Sequence, residues 1–503
     1  MALRRAPLPA AAFGAPWKQD LGDKLLILDV GSTALKAVLY DRAGAAVASA
    51  TRPLTTQTRT DGSVEQDARQ WWTATQAAVS ELPFRADVCA LGLAGSMQNL
   101  IALSAEGEPV GPAILYSDRR LEQDEVAELR GRLPGDYGQR TGNHLDPAHP
   151  ILKLMRLDRF LPGLPLDTVA GFLFGAKDAV IKRLTGRSVI DPTTATTTGL
   201  YNIVSGAWDE ALLAVAGVGP GQMPQILAAD AVAGPLADEA AAALGLPRGI
   251  PVHNGAGDGA AATWGAFADA PNTAYAYVGT TGWVAGTMDL ADARPPRDSY
   301  TLADPVKGSR AIVITPFLCA GAALDWLSEI TSLPVEMLLD HATADGDGPH
   351  PLFLPYLFGE RSPFEDRAVR GAFLGLDRGH GPGALCRAVL EGIAFAIRHN
   401  LEAAGLPRQP LTVIGGGARS PLQQRFLAEA LNRPVIAPAA SQEMPALGIY
   451  RMLAPRLGFE PVQQLAGSVT VDPNPARAEV ADRRYHSYRA ASDFARELPR
   501  TMP

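Results

Sequence analysis

The feature that most constrains the fold of this 503-residue chain is a pattern that occurs twice. In LLILDVGSTALKAVLYD, residues 25–41, two apolar runs of strand-like composition flank a tight Gly-Ser-Thr turn. The segment NTAYAYVGTTGWVAGTM, residues 272–288, repeats this scheme around a Gly-Thr-Thr-Gly turn. Each segment predicts a β-hairpin, and their likeness predicts an internally duplicated chain.

Strand and helix patterns alternate around both hairpins. VCALGLAG, residues 88–95, is typical of a buried strand, and DARQWWTATQAAVSEL, residues 67–82, is typical of a helix. A longer amphipathic helix is predicted over residues 384–404. The alternation predicts two α/β domains. We expect their boundary near residues 266–272, where FADAPN supplies turn residues.

Composition narrows the classes of partner. Hydrophobic residues make up 47% and charged residues 19%, which is a globular balance with enough apolar side chains for two large cores. The net charge of -8 argues against bulk binding to nucleic acid or to an anionic membrane. A small-molecule partner is the better expectation.

The cysteines and the N-terminus favour a cytoplasmic protein. The three cysteines are far apart and form no CxxC pair, so neither a disulfide framework nor a zinc site is expected. Residues 1–22 contain Pro7, Pro9 and Pro16 without a secretory apolar core, and we interpret them as a flexible extension. No apolar run approaches the roughly 18 residues of a membrane-spanning helix.

The two hairpin turns are candidate phosphate sites. Turns rich in Gly, Ser and Thr expose backbone N–H groups and hydroxyls, which makes Ser32, Thr33 and Thr280 candidates to contact phosphate. A single turn of this kind usually only reverses the chain, but two in matching places favour a function. Asp29 precedes the first turn, and it is either a Mg²⁺ ligand through water or a hydrogen-bonded strand-end carboxylate.

Two further segments combine a strand, glycines and a helix start. In IPVHNGAGDGAAATWGAFA, residues 250–268, Asp258 is either a helix N-cap or a general base at the end of a strand. In LTVIGGGARSPL, residues 411–422, a helix is predicted to start near Ser420 and Pro421. The glycine loop and this helix N-terminus predict a phosphate or nucleotide cradle that includes Gly416, Gly417 and Ser420.

Together these segments resemble the FGGY carbohydrate kinases, whose fold is related to actin, hexokinase and Hsp70. The most specific match is GAFLGLDRGHGPGALCRAVLEG, residues 371–392, which follows the second signature of the family except at Ala384. In HPILKLMRL the first signature is matched at Lys153, while Arg156 replaces a typical tryptophan. FLPYLFGERSPF and EMPALGIY match in the family's order along the chain.

The resemblance implies an α/β fold with two actin-like, ribonuclease H-like domains and an active-site cleft between them. The N-terminal sugar-binding domain would span residues 23–268 and the C-terminal nucleotide-binding domain residues 269–503. The resemblance also implies that the protein uses ATP and Mg²⁺ and that Asp258 is the general base. The remaining implied roles are contact with the transferred phosphate at Thr280 and a nucleotide site at Gly321, Gly416 and Gly417.

On the sugar side, the resemblance lies in LAGSMQNL and LYSDRR. Met97 and Gln98 occupy places where many xylulokinases of the family carry Met and His. Asp118 and Arg120 resemble a W-x-D-x-R element in which Tyr116 replaces the tryptophan. From residue type alone, Met97 would be core and the arginines a solvated pair. The resemblance instead implies that these residues bind sugar.

These matches predict a small sugar substrate, D-xylulose first. TTATTTGLYN is similar to gluconate kinases, and Arg119 or Arg120 could pair with a carboxylate, so gluconate is the runner-up. A non-enzymatic actin-like ATP-binding protein and a family member that binds sugar without phosphorylating it are the rival interpretations. A homodimer is also compatible with the resemblance.

Overall fold

The structure is a computed structural model that describes residues 22–164, 168–267, 269–270, 273–293, 299–406, 409–439, 443–462 and 467–498. The predicted N-terminal extension therefore lies outside the described residues except for Gly22, as do residues 268, 271 and 272 of the predicted boundary. Within the described ranges, no helix combines the length and the apolar character needed to cross a membrane.

The strands follow one another in this order: β1 (Lys24–Val30), β2 (Ala34–Tyr40), β3 (Ala46–Pro53), β4 (Gln57–Thr58), β5 (Val64–Gln66), β6 (Val88–Gly95), β7 (Ile101–Leu103), β8 (Ala113–Ile114), β9 (Gly171–Leu173), β10 (Val189–Ile190), β11 (Tyr201–Asn202), β12 (Ala207–Trp208), β13 (Gln225–Ile226), β14 (Val232–Pro235), β15 (Pro251–His253), β16 (Ala256–Gly257), β17 (Ala274–Val278), β18 (Gly282–Asp289), β19 (Tyr300–Ala303), β20 (Arg310–Phe317), β21 (Leu352–Leu354), β22 (Ala372–Leu374), β23 (Leu411–Ile414), β24 (Val435–Ala437) and β25 (Val469–Val471).

The α-helices are α1 (Arg69–Ser80), α2 (Gln123–Gly131), α3 (Tyr137–Thr141), α4 (Pro150–Met155), α5 (Leu157–Phe160), α6 (Ala176–Thr185), α7 (Pro192–Thr196), α8 (Glu210–Ala216), α9 (Asp238–Leu244), α10 (Asp258–Phe267), α11 (Gly321–Thr331), α12 (Val335–Ala344), α13 (Pro382–Ala403), α14 (Pro421–Leu431), α15 (Met444–Leu457) and α16 (Pro475–Glu497).

The chain forms two compact units. The first contains the described residues of Met1–Asp269 together with Leu302–Ser309 and Met444–Val462. The second contains those of Ala270–Thr301, Arg310–Glu443 and Gln463–Pro503. The chain thus leaves the first unit at residue 269 and returns to it twice, so α15 packs in the first unit although it lies late in the sequence.

The main sheet of the first unit has the strand order β14-β15-β6-β1-β2-β3, with β16 also paired to β6. β1 and β2 are antiparallel, from Leu25 opposite Tyr40 to Val30 opposite Leu35, which confirms the first predicted hairpin. β1 and β6 are parallel, and β6 spans the predicted strand VCALGLAG. Helix α1, also predicted, packs against β2 and β3 and buries Trp71.

The main sheet of the second unit has the order β19-β20-β18-β17-β23-β24-β25. β17 and β18 form the second predicted hairpin, and β17 is parallel to β23. The two sheets share one pattern of strand pairing: two antiparallel pairs, then two parallel pairs, then one antiparallel pair. The pattern holds along β3-β2-β1-β6-β15-β14 in the first unit and along β20-β18-β17-β23-β24-β25 in the second. The duplication suggested by the two hairpins extends to both sheets.

Candidate active site

Three parallel strands of the first unit bring two carboxylates to the same edge of the sheet. β6 lies between β1 and β16, and its residue Ala94 pairs with Asp29 on one side and with Ala256 on the other. Since neighbouring strands lie about 4.8 Å apart, the backbones at residues 29 and 256 are separated by about 10 Å. Asp258 follows by two residues. Both carboxylates therefore stand where parallel strands end, the usual place for ligands in α/β sheets.

Asp258 is the first residue of α10, directly after β16. Its Oδ1 accepts a 2.7 Å hydrogen bond from the backbone N–H of Gly259, the only hydrogen bond of this carboxylate to the described residues. Burial, with a further contribution from Asp191, raises the pKa of Asp258 to about 6, while the Gly259 bond opposes the shift. A half-buried carboxylate with a raised pKa and an unused oxygen is suited to accept a proton near neutral pH.

Asp29 is the second carboxylate at this edge, and it lies opposite Lys36 in the first hairpin. Burial and, to a smaller extent, the negative charge of Asp258 raise the pKa of Asp29 to about 7, against the opposing effect of Lys36. The two acids therefore interact, and ionisation of both is unfavourable unless a cation lies near them.

The segment after β6 reaches the same edge. Met97 packs so closely on Gly257 that a Cβ at residue 257 would lie 2.1 Å from the Met97 sulfur and 2.9 Å from the Thr194 hydroxyl. Only glycine fits at that position without a shift of its neighbours. Met97 therefore lies against the residue that precedes Asp258.

Gln98 adopts a left-handed backbone with φ of 61°, a conformation that is uncommon outside glycine. Its backbone carbonyl accepts a 3.2 Å hydrogen bond from the Nζ of Lys153, which also donates to the carbonyl of Leu115 at 2.7 Å. Burial lowers the pKa of Lys153 to about 7. The side-chain Nε2 of Gln98 is enclosed and has no hydrogen-bond partner among the described residues.

Asp118 and Arg120 form a buried ion pair. The Asp118 Oδ2 accepts bonds from Arg120 Nη2 at 2.8 Å and from the backbone N–H of Val64 at 2.8 Å. The same Arg120 Nη2 lies 3.0 Å from a Glu65 carboxylate oxygen, and the guanidinium stacks over the Phe160 ring. The carboxylates of Asp118 and Glu65 thus balance the positive charge of the Arg120 guanidinium. The neighbouring Arg119 and Tyr116 are exposed.

A fully buried charged cluster lies near Asp258, and its Asp191 contributes to the raised pKa of Asp258. The Lys177 Nζ is 2.7 Å from Asp178 and 3.2 Å from Asp191, and it donates to Asn254 at 3.4 Å. Asp191 also accepts from the backbone N–H groups of Thr193 and Thr194, which begins α7. Local sequence patterns do not reveal this cluster because its members are up to 77 residues apart.

Helix α10, which begins with Asp258, is held in place by α15. A Cβ at Gly448 would lie 1.8 Å from the Ala261 carbonyl oxygen, and one at Gly265 would lie 2.1 Å from the Met444 carbonyl oxygen. The two helices therefore cross with their backbones in contact. Gly448 of EMPALGIY has this packing role.

The turn of the first hairpin is held through backbone carbonyls. The Ser32 carbonyl accepts from the side-chain Nε2 of Gln66 at 2.7 Å, and the Thr33 carbonyl accepts from the backbone N–H of Leu54 at 2.8 Å. Gln66 is itself fixed by the Trp71 indole N–H at 2.9 Å. The hydroxyls of Ser32 and Thr33 take no part in these bonds.

In the second unit, the turn of the second hairpin docks onto the start of α11. The Gly279 carbonyl accepts from Gly321 at 2.7 Å, and the Thr280 carbonyl accepts from Ala320 and Ala322 at 3.1 and 3.0 Å. A Cβ at Gly321 would lie 2.7 Å from the Gly279 carbonyl oxygen. Gly321 is therefore required for the close approach of this turn.

The glycine loop after β23 lies beside β17. Gly415 has a φ of 92°, and a Cβ at Gly417 would lie 2.4 Å from the Val278 side chain, whereas one at Gly416 would meet no atom within 4 Å. Ser420 is the N-cap of α14, since its Oγ accepts from the backbone N–H of Gln423 at 3.3 Å. Pro421 follows at the first helical position, as the sequence predicted.

Both units match models of one protein family. Residues 24–265 match the N-terminal domain, and residues 274–454 the C-terminal domain, of the FGGY family of carbohydrate kinases. The chain belongs to this FGGY family. Its fold is accordingly the two-domain α/β, actin-like fold of FGGY kinases, and it is a sugar kinase for which ATP is the implied phosphoryl donor.

Individual relatives agree with this assignment. A xylulose kinase of Escherichia coli K12 is 32% identical over 435 residues, which cover 84% of this chain and 88% of that protein. A glycerol kinase of Thermus brockianus is 33% identical over 455 residues, 84% of this chain and 88% of that protein. A solved structure titled as a xylulose kinase of Brucella ovis has a TM-score of 0.84 and 31% identity, and the match covers 95% of this chain and all of that chain.

Within this FGGY kinase, the structure places the predicted site residues in two groups. Those of the first unit converge near the carboxyl ends of β1, β6 and β16: Asp29, Ser32, Thr33, Met97, Gln98 and Asp258. Those of the second unit lie at the β17–β18 turn and the glycine loop: Thr280, Gly321, Gly416, Gly417 and Ser420. Asp118 and Arg120 belong to the buried ion pair described above.

The first group also fits a magnesium ion. Asp29 and Asp258 offer carboxylate oxygens, and burial raises the pKa of Asp29 despite the opposing charge of Lys36. A cation bound beside these carboxylates would favour their ionised forms. Among the described residues, no cluster of three or more His, Cys, Asp and Glu side chains could bind a metal alone. In kinases, Mg²⁺ is usually bound by one or two carboxylates together with the phosphates of the nucleotide.

Proposed function

We propose that this FGGY kinase transfers the γ-phosphoryl group of ATP to a hydroxyl of a ketopentose, D-xylulose first, with Asp258 as the general base. The observation that carries the proposal is the environment of Asp258, a half-buried carboxylate with a pKa raised to about 6 at the end of β16. The similarity to xylulose kinases supports the choice of sugar.

Asp258 would accept the proton of the sugar hydroxyl as its oxygen bonds to the γ-phosphorus and the bond to the bridging oxygen of ADP breaks. With a pKa near 6, most of this carboxylate is ionised at neutral pH while it remains more basic than an ordinary aspartate. General-base catalysis of this kind contributes about 10² to 10⁴ in rate.

Met97 and Gln98 would form the sugar-facing wall, because Met97 contacts Gly257 and Gln98 holds an unpaired Nε2. An amide can both donate to and accept from adjacent hydroxyls. Asp118 and Arg120 bind each other, so their proposed role is to fix the segment after β8 against β5. Direct contact of this pair with the sugar stays a prediction.

On the phosphate side, Ser32, Thr33 and Thr280 would contact the transferred group. Gly321, Gly416, Gly417 and Ser420 would contribute to the nucleotide site. Asp29 would hold Mg²⁺, which when bound neutralises negative charge on the phosphate oxygens. Cytoplasmic location and a homodimer stay predictions of the sequence.

The Arg120 ion pair weighs against gluconate. Two arginines were candidates to pair with a carboxylate substrate. Asp118 and Glu65 already balance the charge of Arg120, and Arg119 is exposed. Glycerol, a smaller molecule than D-xylulose, remains an alternative substrate because a glycerol kinase is 33% identical to this chain.

The test is kcat/KM of the purified protein with ATP and Mg²⁺ for D-xylulose, glycerol and D-gluconate. We expect D-xylulose to exceed both others by at least about tenfold, since unmatched hydroxyls leave buried polar groups unpaired. Activity should vanish with a chelator and return with Mg²⁺. Preference for glycerol or gluconate by a similar factor would overturn the sugar assignment and leave the kinase family intact.

A further inference from the structure

Lys153 is a fully buried lysine whose side chain bonds to backbone carbonyls. Its Nζ donates to the carbonyl oxygens of Gln98 and Leu115, and no carboxylate of the described residues lies within 4 Å of it. Burial of an ammonium away from a carboxylate is costly and lowers its pKa, here to about 7.

The two acceptors of Lys153 belong to different segments of the first unit. Gln98 follows β6, and Leu115 follows β8 and also accepts from the backbone N–H of Asp118. One amino group in α4 therefore joins the Met97–Gln98 segment to the segment that contains the Asp118 ion pair.

The backbone of Gln98 needs such a restraint. A non-glycine residue with φ of 61° is strained by on the order of 1 kcal/mol and is found where its surroundings fix it. The bond from Lys153 reaches the carbonyl of this same residue. That backbone sets the direction of a side chain whose Nε2 has no partner among the described residues.

We infer that Lys153 is a positioning residue for sugar binding, because it holds Gln98 in the conformation that aims its amide at the substrate. This inference rests on the proposed function of the Met97–Gln98 segment. The ammonium has three N–H groups and the neutral amine has two, so either protonation state can donate both hydrogen bonds. The two bonds of the Lys153 amino group go to backbone carbonyls, so the proposed role is to position Gln98 and not to act on the substrate.

The test is a double-mutant cycle with Lys153→Met and Gln98→Ala, read as the KM for the preferred sugar. Each single variant should raise this KM about tenfold or more, with the KM for ATP little changed. If Lys153 acts through Gln98, the double variant should have nearly the KM of Gln98→Ala. If the increase in KM of the double variant is instead the product of the two single increases, Lys153 does not act through Gln98 and the inference is wrong.

Two further variants complete the design. Lys153→Gln keeps an NH₂ group on a neutral and slightly shorter side chain, so it should recover part of the sugar affinity lost in Lys153→Met. Lys182→Met is the control, because Lys182 also donates to a backbone carbonyl, that of Gly186 at 2.9 Å, and should show the wild-type KM.

Folding of each variant is checked by thermal unfolding before the kinetics. If neither Lys153 variant folds, Lys153 stabilises the fold as a whole and the inference is wrong. If D-xylulose is not the substrate, the wild-type protein itself will not prefer it in the assay. The cycle would then be run with the sugar that the wild-type protein phosphorylates.

Discussion

Met97 and Gly257 are in direct contact, and a single added methyl group at residue 257 would lie 2.1 Å from the Met97 sulfur. This contact joins the segment after β6 to the residue before Asp258. The proposed sugar-facing wall and the proposed base therefore depend on one glycine.

Gly257→Ala should displace Met97 and lower kcat/KM for the sugar by about tenfold or more, since misplacement by about 1 Å can cost as much as 10² in rate. The KM for ATP should change little. The control is Gly131→Ala, because a Cβ there meets no atom within 4 Å. Wild-type kinetics in a folded Gly257→Ala variant would show that the contact has no part in catalysis.

The pH dependence of kcat/KM should report the two raised carboxyl pKa values. Both carboxylates lose their charge as pH falls, Asp29 with a pKa of about 7 and Asp258 with a pKa of about 6. We therefore expect a plateau at alkaline pH and a decline that begins near pH 7 and steepens below pH 6. A profile that stays flat down to pH 5 would contradict the proposed roles of both residues.

Asp29→Asn should stabilise the protein at alkaline pH while it lowers activity. Because the folded state raises this pKa from 3.8 to about 7, the folded protein binds the proton more tightly than the unfolded chain. The wild-type contribution to the free energy of unfolding therefore falls as pH rises through this window. The variant should gain on the order of 4 kcal/mol at pH 8 and progressively less towards pH 4. Denaturant unfolding at both pH values tests this, and an equal difference at each would contradict the raised pKa.

Gly321→Ala should weaken ATP binding and leave the sugar affinity unchanged. Its Cβ would lie 2.7 Å from the Gly279 carbonyl, a backbone atom that cannot move without the β17–β18 turn. We expect the KM for ATP to rise about tenfold or more. Gly381→Ala is the control, since a Cβ there meets no atom within 4 Å. An altered KM for the sugar alone would show that this turn does not serve the nucleotide.

Local patterns predicted the framework of the fold. Alternating apolar residues around a Gly-Ser/Thr turn specify each hairpin, and the apolar face of residues 384–404 corresponds to helix α13 at Pro382–Ala403. The start of α14 followed from Ser420 and Pro421. These features depend on neighbours within a few residues, and the sequence shows those directly.

Features that depend on distant parts of the chain were not predictable in this way. The return of Met444–Val462 to the first unit, the burial of Lys177 between Asp178 and Asp191, and the left-handed backbone of Gln98 all depend on tertiary contacts. Asp118 and Arg120 illustrate the same point. Their spacing alone does not show that they bind each other.

The most direct test of the account is Asp258→Asn, assayed for turnover with ATP, Mg²⁺ and D-xylulose. The control is Asp238→Asn, which removes an exposed carboxylate from the first turn of α9 in the same unit. We expect Asp258→Asn to keep the fold and nearly wild-type ATP affinity but to lose about 10² to 10⁴ in kcat, with the control unchanged. A folded Asp258→Asn variant with nearly wild-type turnover would contradict it.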